Sequence, residues 1–174
     1  MRKLKLKELN RTNISAFKKQ AKTPIVLVMD NIRSGLNVGS AFRTADAFAL
    51  EKIYLCGITA QPPHREILKT AIGASASMDW QYFDNTLAAI KDLKEKGYRV
   101  VAVEQAENST MLQNFEIKEE EKIALIFGNE VEGVSNEVMN QIEESIEVPQ
   151  FGTKHSLNIS VCIGVVVWDL FGKI

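Results

Sequence analysis

The sequence predicts an α/β protein with a mostly parallel sheet covered by helices on both faces. Short, continuous β-branched runs of the kind buried inside parallel sheets recur along it. Segments with helical spacing alternate with those runs. A length of 174 residues suits one domain and a core that needs no disulfide or metal.

Taken in order, residues 4–21 hold a short helix with Leu4, Leu9, Ile14 and Phe17 loosely on one face. Pro24 punctuates, and Ile25–Met29 reads as a buried strand. Residues 30–39, rich in Asn and Gly, read as a loop, and Ser40–Leu50 follows with helical spacing. Next come a strand at Lys52–Cys56, a short helix at Arg65–Ala71 and a helix at Thr86–Lys96 that stops at Gly97. Arg99–Glu104 and Ile123–Phe127 are further strands, Asn136–Ile142 is a helix, and Ser145–Val148 is a short strand closed by Pro149. The tail, Ser156–Phe171, is open to two readings. Its valines and isoleucines favour a strand. Its length exceeds an ordinary strand, and Ser156 is placed to cap a helix. A helix so apolar all round would need a partner to cover it.

Composition narrows the function classes. The chain is 45% hydrophobic and 25% charged, ordinary for a soluble domain. Its two cysteines, Cys56 and Cys162, lie apart in apolar surroundings and read as reduced. With His64 and His155 as the only histidines no zinc-ligand spacing exists, so no metal is expected. No signal peptide is expected at the start and no apolar run spans a bilayer, which points to a cytoplasmic protein without a membrane partner. The net charge of −1 is unevenly placed. Residues 2–22 carry eight basic side chains against Glu8 alone, a net of +7. Such an arm either meets a polyanion at one region or is a solvated terminus.

Chemistry-bearing residues gather after three strands, where open parallel sheets bind ligands. Asn31 to Phe48 includes Asn37, Gly39 and Arg43; its glycines permit close backbone approach, and arginine offers a fork suited to phosphate. Phe127 to Ser135 includes Gly128, Asn129 and Glu130. It is neither a P-loop nor a dinucleotide fingerprint, and its glutamates suit a cationic ligand or hydroxyl donors. Val148 to Ser160 places Ser156 and Asn158 at the entry to the most apolar segment, where polar groups need partners. No nucleophile elbow surrounds Ser156.

In this order the clusters resemble the three motifs of SpoU-type RNA 2′-O-ribose methyltransferases of the SPOUT superfamily. Asn37, Gly39 and Arg43-Thr44-Ala45 match the first motif, and Gly128 to Gly133 the second. Pro149, Gly152, Ser156, Leu157, Asn158 and Ser160 match the third. Lys69 to Ala74 resembles a further recurring family segment, and the likeness runs from about residue 24 to the end.

The resemblance implies a C-terminal trefoil knot, which chain-topology rules alone would never suggest. It also implies a final helix packed in a homodimer interface. S-adenosylmethionine is then the expected cofactor, held near Val103, Glu104, Gly128, Asn129, Val148 and Leu157. Arg43 is implied as the central catalytic residue, with Asn37, Glu130, Ser156 and Asn158 around it. The expected partner is RNA, tRNA before rRNA, with Arg43 and the arm residues Lys3, Lys5, Lys7, Arg11, Lys18 and Lys19 on its phosphates. Residues 1–22 form the arm and 23–174 the methyltransferase domain in this reading. The rival readings are an RNA-binding module of the same fold without turnover, and a flavin- or dinucleotide-dependent α/β enzyme.

Overall fold

The structure, a computed structural model, describes residues 1–174, the side chain of Leu6 excepted. Seven strands form one sheet: β1 (Thr23–Asp30), β2 (Leu50–Cys56), β3 (Trp80–Phe83), β4 (Arg99–Val103), β5 (Thr110–Met111), β6 (Ile123–Phe127) and β7 (Glu144–Glu147). Their order is β3-β2-β1-β6-β4-β7-β5, and every pairing is parallel. Seven helices join them: α1 (Ile14–Lys19), α2 (Gly35–Ala47), α3 (Arg65–Ala71), α4 (Ala74–Ser77), α5 (Thr86–Glu95), α6 (Asn136–Met139) and α7 (Ile159–Phe171).

Side-chain alternation along β1 divides the core in two. Ile25, Leu27 and Met29 belong to one apolar cluster with α2, α3 and α7, including Phe42, Ile67 and Ile163. Val26 and Val28 belong to the other, with Ala89, Ile90 and Leu93 of α5 and Val138 of α6. Helices therefore cover both faces, as continuous apolar strands require.

Several elements differ from the sequence expectations. Residues 4–21 are not one helix: a 3₁₀ turn at Leu6–Leu9 and the short α1 are separated by a break at Asn10, whose φ is 47°. Asn13 caps α1 by accepting the Ala16 N–H at 2.9 Å, and buried Phe17 fastens the helix to the body. The supposed loop at residues 30–39 already contains the first turn and more of α2, which starts at Gly35 behind the Ser34 cap. Its glycines serve helix packing. A Cβ on Gly39 would lie 2.4 Å from the Ile67 carbonyl oxygen of α3. Arg43 thus sits in the second half of α2. The helix predicted to Ile142 stops at Met139.

The tail resolves as a helix. Asn158, not Ser156, is its cap, its side-chain oxygen accepting the Ser160 N–H at 2.9 Å. Ile163, Val166, Val167 and Leu170 are buried, whereas Val161, Val165, Trp168 and Phe171 are 39–66% exposed. Among the described residues no helix is long and apolar enough to cross a membrane, and none form a His, Cys, Asp or Glu group able to hold a metal.

Candidate active site

Beyond the carboxyl ends of β4, β6 and β7 lies a cavity of about 560 Å³. Its wall is assembled from three chain segments and the first turn of α7. All six residues expected near the cofactor line it: Val103, Glu104, Gly128, Asn129, Val148 and Leu157. Glu130, Ser156 and Asn158 of the expected catalytic set line it too. Asn37 and Arg43 do not.

Close backbone contacts shape the wall. A Cβ on Gly128 would sit 2.1 Å from the Val134 nitrogen, so the loop after β6 folds back upon itself only because residue 128 lacks a side chain. Gly133, at φ 70°, makes the return, and Asn129 and Gly133 exchange two main-chain hydrogen bonds of 2.9 Å. The Asn129 side chain completes the loop. Its oxygen accepts the Val131 N–H at 2.9 Å, and its amide donates to the Asn31 carbonyl at 2.7 Å. Glu104 accepts the N–H groups of Gln105 and Val134, both at 2.9 Å, tying the β4 loop to the β6 loop.

A second network joins the three motif clusters. Glu130 accepts the Arg33 N–H at 2.9 Å, the Ser34 N–H at 3.1 Å and the Asn37 amide at 3.0 Å. The Asn37 oxygen in turn accepts from the Asn158 amide at 3.3 Å. Partial burial pushes the Glu130 carboxyl up. The Arg33, Asn37 and Ser34 donors outweigh that and hold it below the usual carboxylate range. The carboxylate also faces the amino end of α2, where negative charge is favoured.

Four glutamates, Glu104, Glu130, Glu132 and Glu147, border the cavity, and among the described residues no lysine or arginine does. Such a lining suits a ligand with a positive centre and hydroxyl or amine donors. It disfavours a phosphate-rich cofactor. Phe127, Ile146 and Ile159 supply apolar wall. Sequence reasoning missed Cys162, which also lines the cavity; one turn after Asn158, it falls on the same face of α7. Burial, with Glu104 nearby, pushes its thiol up to about 11. Gln105, Ile146 and Glu147 were missed as well, because only the parallel pairing of β4 with β7 brings them together.

Arg43 is exposed on α2, one turn beyond Gly39 on the line of residues that faces α3, and forms no ion pair among the described residues. The arm residues Lys3, Lys5, Lys7, Arg11, Lys18 and Lys19 are exposed, and none lines the cavity. Lys18 lies 4.0 Å from Asp79, just before β3, and so near the amino ends of the strands.

A parallel α/β sheet with an acidic, part-apolar crevice past its strand ends defines a ligand-binding α/β protein whose site is tied to the cap of its last helix. The model of the SpoU rRNA Methylase family matches residues 24–168, and the chain belongs to that family. It is 27% identical over 150 residues to a tRNA (guanosine(18)-2′-O)-methyltransferase of Borreliella burgdorferi, covering 86% of this chain and 67% of that protein. It is 30% identical to a TrmH family tRNA/rRNA methyltransferase of Staphylococcus saprophyticus, covering 92% and 63%. The chain thus spans about two thirds of the length of these curated relatives. Among solved structures, an AdoMet-bound rRNA methyltransferase from Sinorhizobium meliloti superposes with a TM-score of 0.79 at 25% identity, over 88% of this chain and 58% of that one. S-adenosylmethionine is the cofactor of SpoU methyltransferases.

Proposed function

We propose that this protein methylates a ribose 2′-hydroxyl of RNA with S-adenosylmethionine, and that tRNA is its substrate ahead of rRNA. One observation carries the reading: a single cavity gathers the loops after β4, β6 and β7, and the Glu130–Asn37–Asn158 network binds its rim to α2. The Borreliella burgdorferi relative, whose name specifies 2′-O-methylation of tRNA, supports the choice of chemistry and substrate.

The acidic lining fits a sulfonium, and the cavity-lining residues Val103, Gly128, Val148 and Leu157 are the ones whose main chain would hydrogen-bond an adenosine. When bound, S-adenosylmethionine supplies an already electrophilic methyl group. What remains for the chain is alignment, removal of the hydroxyl proton and stabilisation of the developing alkoxide. A guanidinium is a poor base, so Arg43 serves as a cation. It grips the phosphate beside the target ribose, and that phosphate or the surrounding polar network takes the proton. Ser156 and Asn158 orient the ribose, while Glu130 acts through α2 as a positioning residue.

Arg43 lies outside this subunit's cavity, so the reading completes the site across a homodimer. The stripe of Val161, Val165, Trp168 and Phe171 on α7 packs against a second copy. Because α7 contacts α2, this brings Arg43 of each subunit toward the other's cavity. In the same proposal residues 23–174 form a knotted methyltransferase domain, residues 1–22 an RNA-tracking arm, and the protein acts in the cytoplasm. Transfer of tritium from labelled cofactor to total tRNA, with the product mapped to a 2′-O-methyl nucleotide, is the expected result. Tight binding of S-adenosylhomocysteine without transfer to tRNA or rRNA would refute the enzymatic reading.

A further inference from the structure

One exposed stripe on the molecule has no part in the cavity, the α7 face or the arm. At about 100° per residue, Arg65, Leu68, Lys69 and Ile72 fall within roughly a quarter to a third of the circumference of α3. Ile67 and Ala71, on the opposite side, are buried. Arg65 and Lys69 are exposed, and neither joins any ion pair among the described residues. Leu68 and Ile72 are 52% and 67% exposed.

Ile72 carries an independent signal. It ends α3 at φ 49° and ψ 45°, the left-handed region that a β-branched residue adopts least readily. Glycine or asparagine is the usual occupant of such a position. Here an isoleucine holds it with most of its side chain in solvent, so core packing does not account for the choice. Strained residues with exposed apolar side chains gather where a ligand is met.

The neighbours of the stripe indicate what that ligand is. α1 and α3 both pack on α4, which puts the exposed Lys19 and Lys18, the latter 4.0 Å from Asp79, on a helix one neighbour away from α3. Arg43 emerges from the α2 line that faces α3. The segment that walls the cavity has the opposite balance: residues 104–147 hold twelve glutamates against two lysines, which suits the cationic cofactor and leaves the phosphates flanking the target ribose to be held elsewhere. Residues 31–78 hold five basic and three acidic side chains.

We propose that the exposed stripe of α3 is an RNA-docking ridge. Arg65 and Lys69 hold neighbouring backbone phosphates, and Leu68 with Ile72 forms an apolar step on which the face of a ribose or base rests. The ridge would guide RNA flanking the methylated nucleotide over the α3–α4–α1 side. This inference rests on the RNA reading above and adds Arg65, Leu68, Lys69 and Ile72 to it.

The test uses the full chain as wild type, as the Arg65→Ala/Lys69→Ala double variant and as Ile72→Gly. Labelled unfractionated tRNA is titrated at several salt concentrations, and S-adenosylhomocysteine binding is measured alongside. Each lost phosphate contact removes about 0.7–0.9 from the log–log salt slope, so the double variant falls by about 1.5. Ile72→Gly weakens tRNA binding by about 5–10-fold at every salt with the slope unchanged, as loss of a non-ionic contact requires. Its thermal midpoint does not fall, because glycine accepts the left-handed conformation. All three proteins bind S-adenosylhomocysteine alike. If both variants match wild type in tRNA affinity and slope, the ridge is overturned and the RNA reading stands. If wild type binds S-adenosylhomocysteine but no tRNA, the tRNA reading fails and takes the ridge with it.

Discussion

Glu130 is the residue whose loss tests the construction of the site most directly. It accepts three hydrogen bonds from the start of α2, at 2.9, 3.1 and 3.0 Å, from residues more than ninety positions earlier in the chain. In Glu130→Gln one oxygen still accepts, but the new amide turns donors toward donors. Hydrogen bonds to a charged group contribute about 1.5–3 kcal/mol each where water is excluded. Glu130 is largely exposed, and screening reduces the whole set to about 1–2 kcal/mol. For a chain of this size that lowers the thermal midpoint by roughly 3–6 °C. The pH dependence supplies a second reading. The folded-state carboxyl is depressed, so its contribution is present above the ordinary glutamate range and is lost as pH falls through the folded value. Thermal unfolding of both proteins at pH 7 and at successively lower pH is the assay, and the gap between the curves should close toward acid. Equal midpoints at pH 7, or a gap of constant size down to acid, would refute the clamp.

Three other predictions follow from the same geometry. Mixed dimers of Arg43→Ala and Asn158→Ala, each inactive alone, should recover about a quarter of the wild-type sites if the two residues act from different subunits; no recovery after subunit exchange places them in one chain. Gly39→Ala puts a Cβ 2.2 Å from the Thr70 hydroxyl and 2.4 Å from the Ile67 carbonyl. The hydroxyl can rotate away but the carbonyl is main chain, so chemical denaturation should record a loss of about 1–3 kcal/mol, and an unchanged midpoint would mean α3 moves freely. The Cys162 thiol, pushed up to about 11, should be alkylated slowly at neutral pH, faster by roughly tenfold per pH unit toward alkaline solution, and protected by S-adenosylhomocysteine. Rapid labelling at pH 7 that the ligand does not slow would place the thiol outside the cavity.

The buried strands were legible because Ile25–Met29 and Ile123–Phe127 are apolar on both faces, a pattern that few other elements share. β3 was not, because Trp80–Phe83 is an edge strand whose residues are only half buried and include exposed Gln81. β5 is two residues long and owes its form to pairing with β7. The start of α2 was misread for a different reason. Glycine and asparagine are turn residues by local preference, and only the approach of α3 explains Gly35 and Gly39 inside a helix. α7 could not be told from a strand by periodicity, since buried and exposed positions along it are alike apolar; the Asn158 cap decides. For the site, the motif residues were legible as a set and their connections were not. Glu130 appeared as a candidate for direct chemistry, but its partners Arg33 and Asn37 cannot be inferred from any local pattern.

The contacts that finish the crevice span 93 residues between Asn37 and Glu130, and 121 between Asn37 and Asn158. Contacts so distant in sequence form slowly, because the loop must close before the contact repays it. A chain still emerging from the ribosome has β1 and α2 in hand but no Asn158 to anchor and no α7 to seal the rim. The crevice is therefore complete only in chains that have made these long-range contacts, and a molecule that enters it selects such chains and shifts the folding balance toward them.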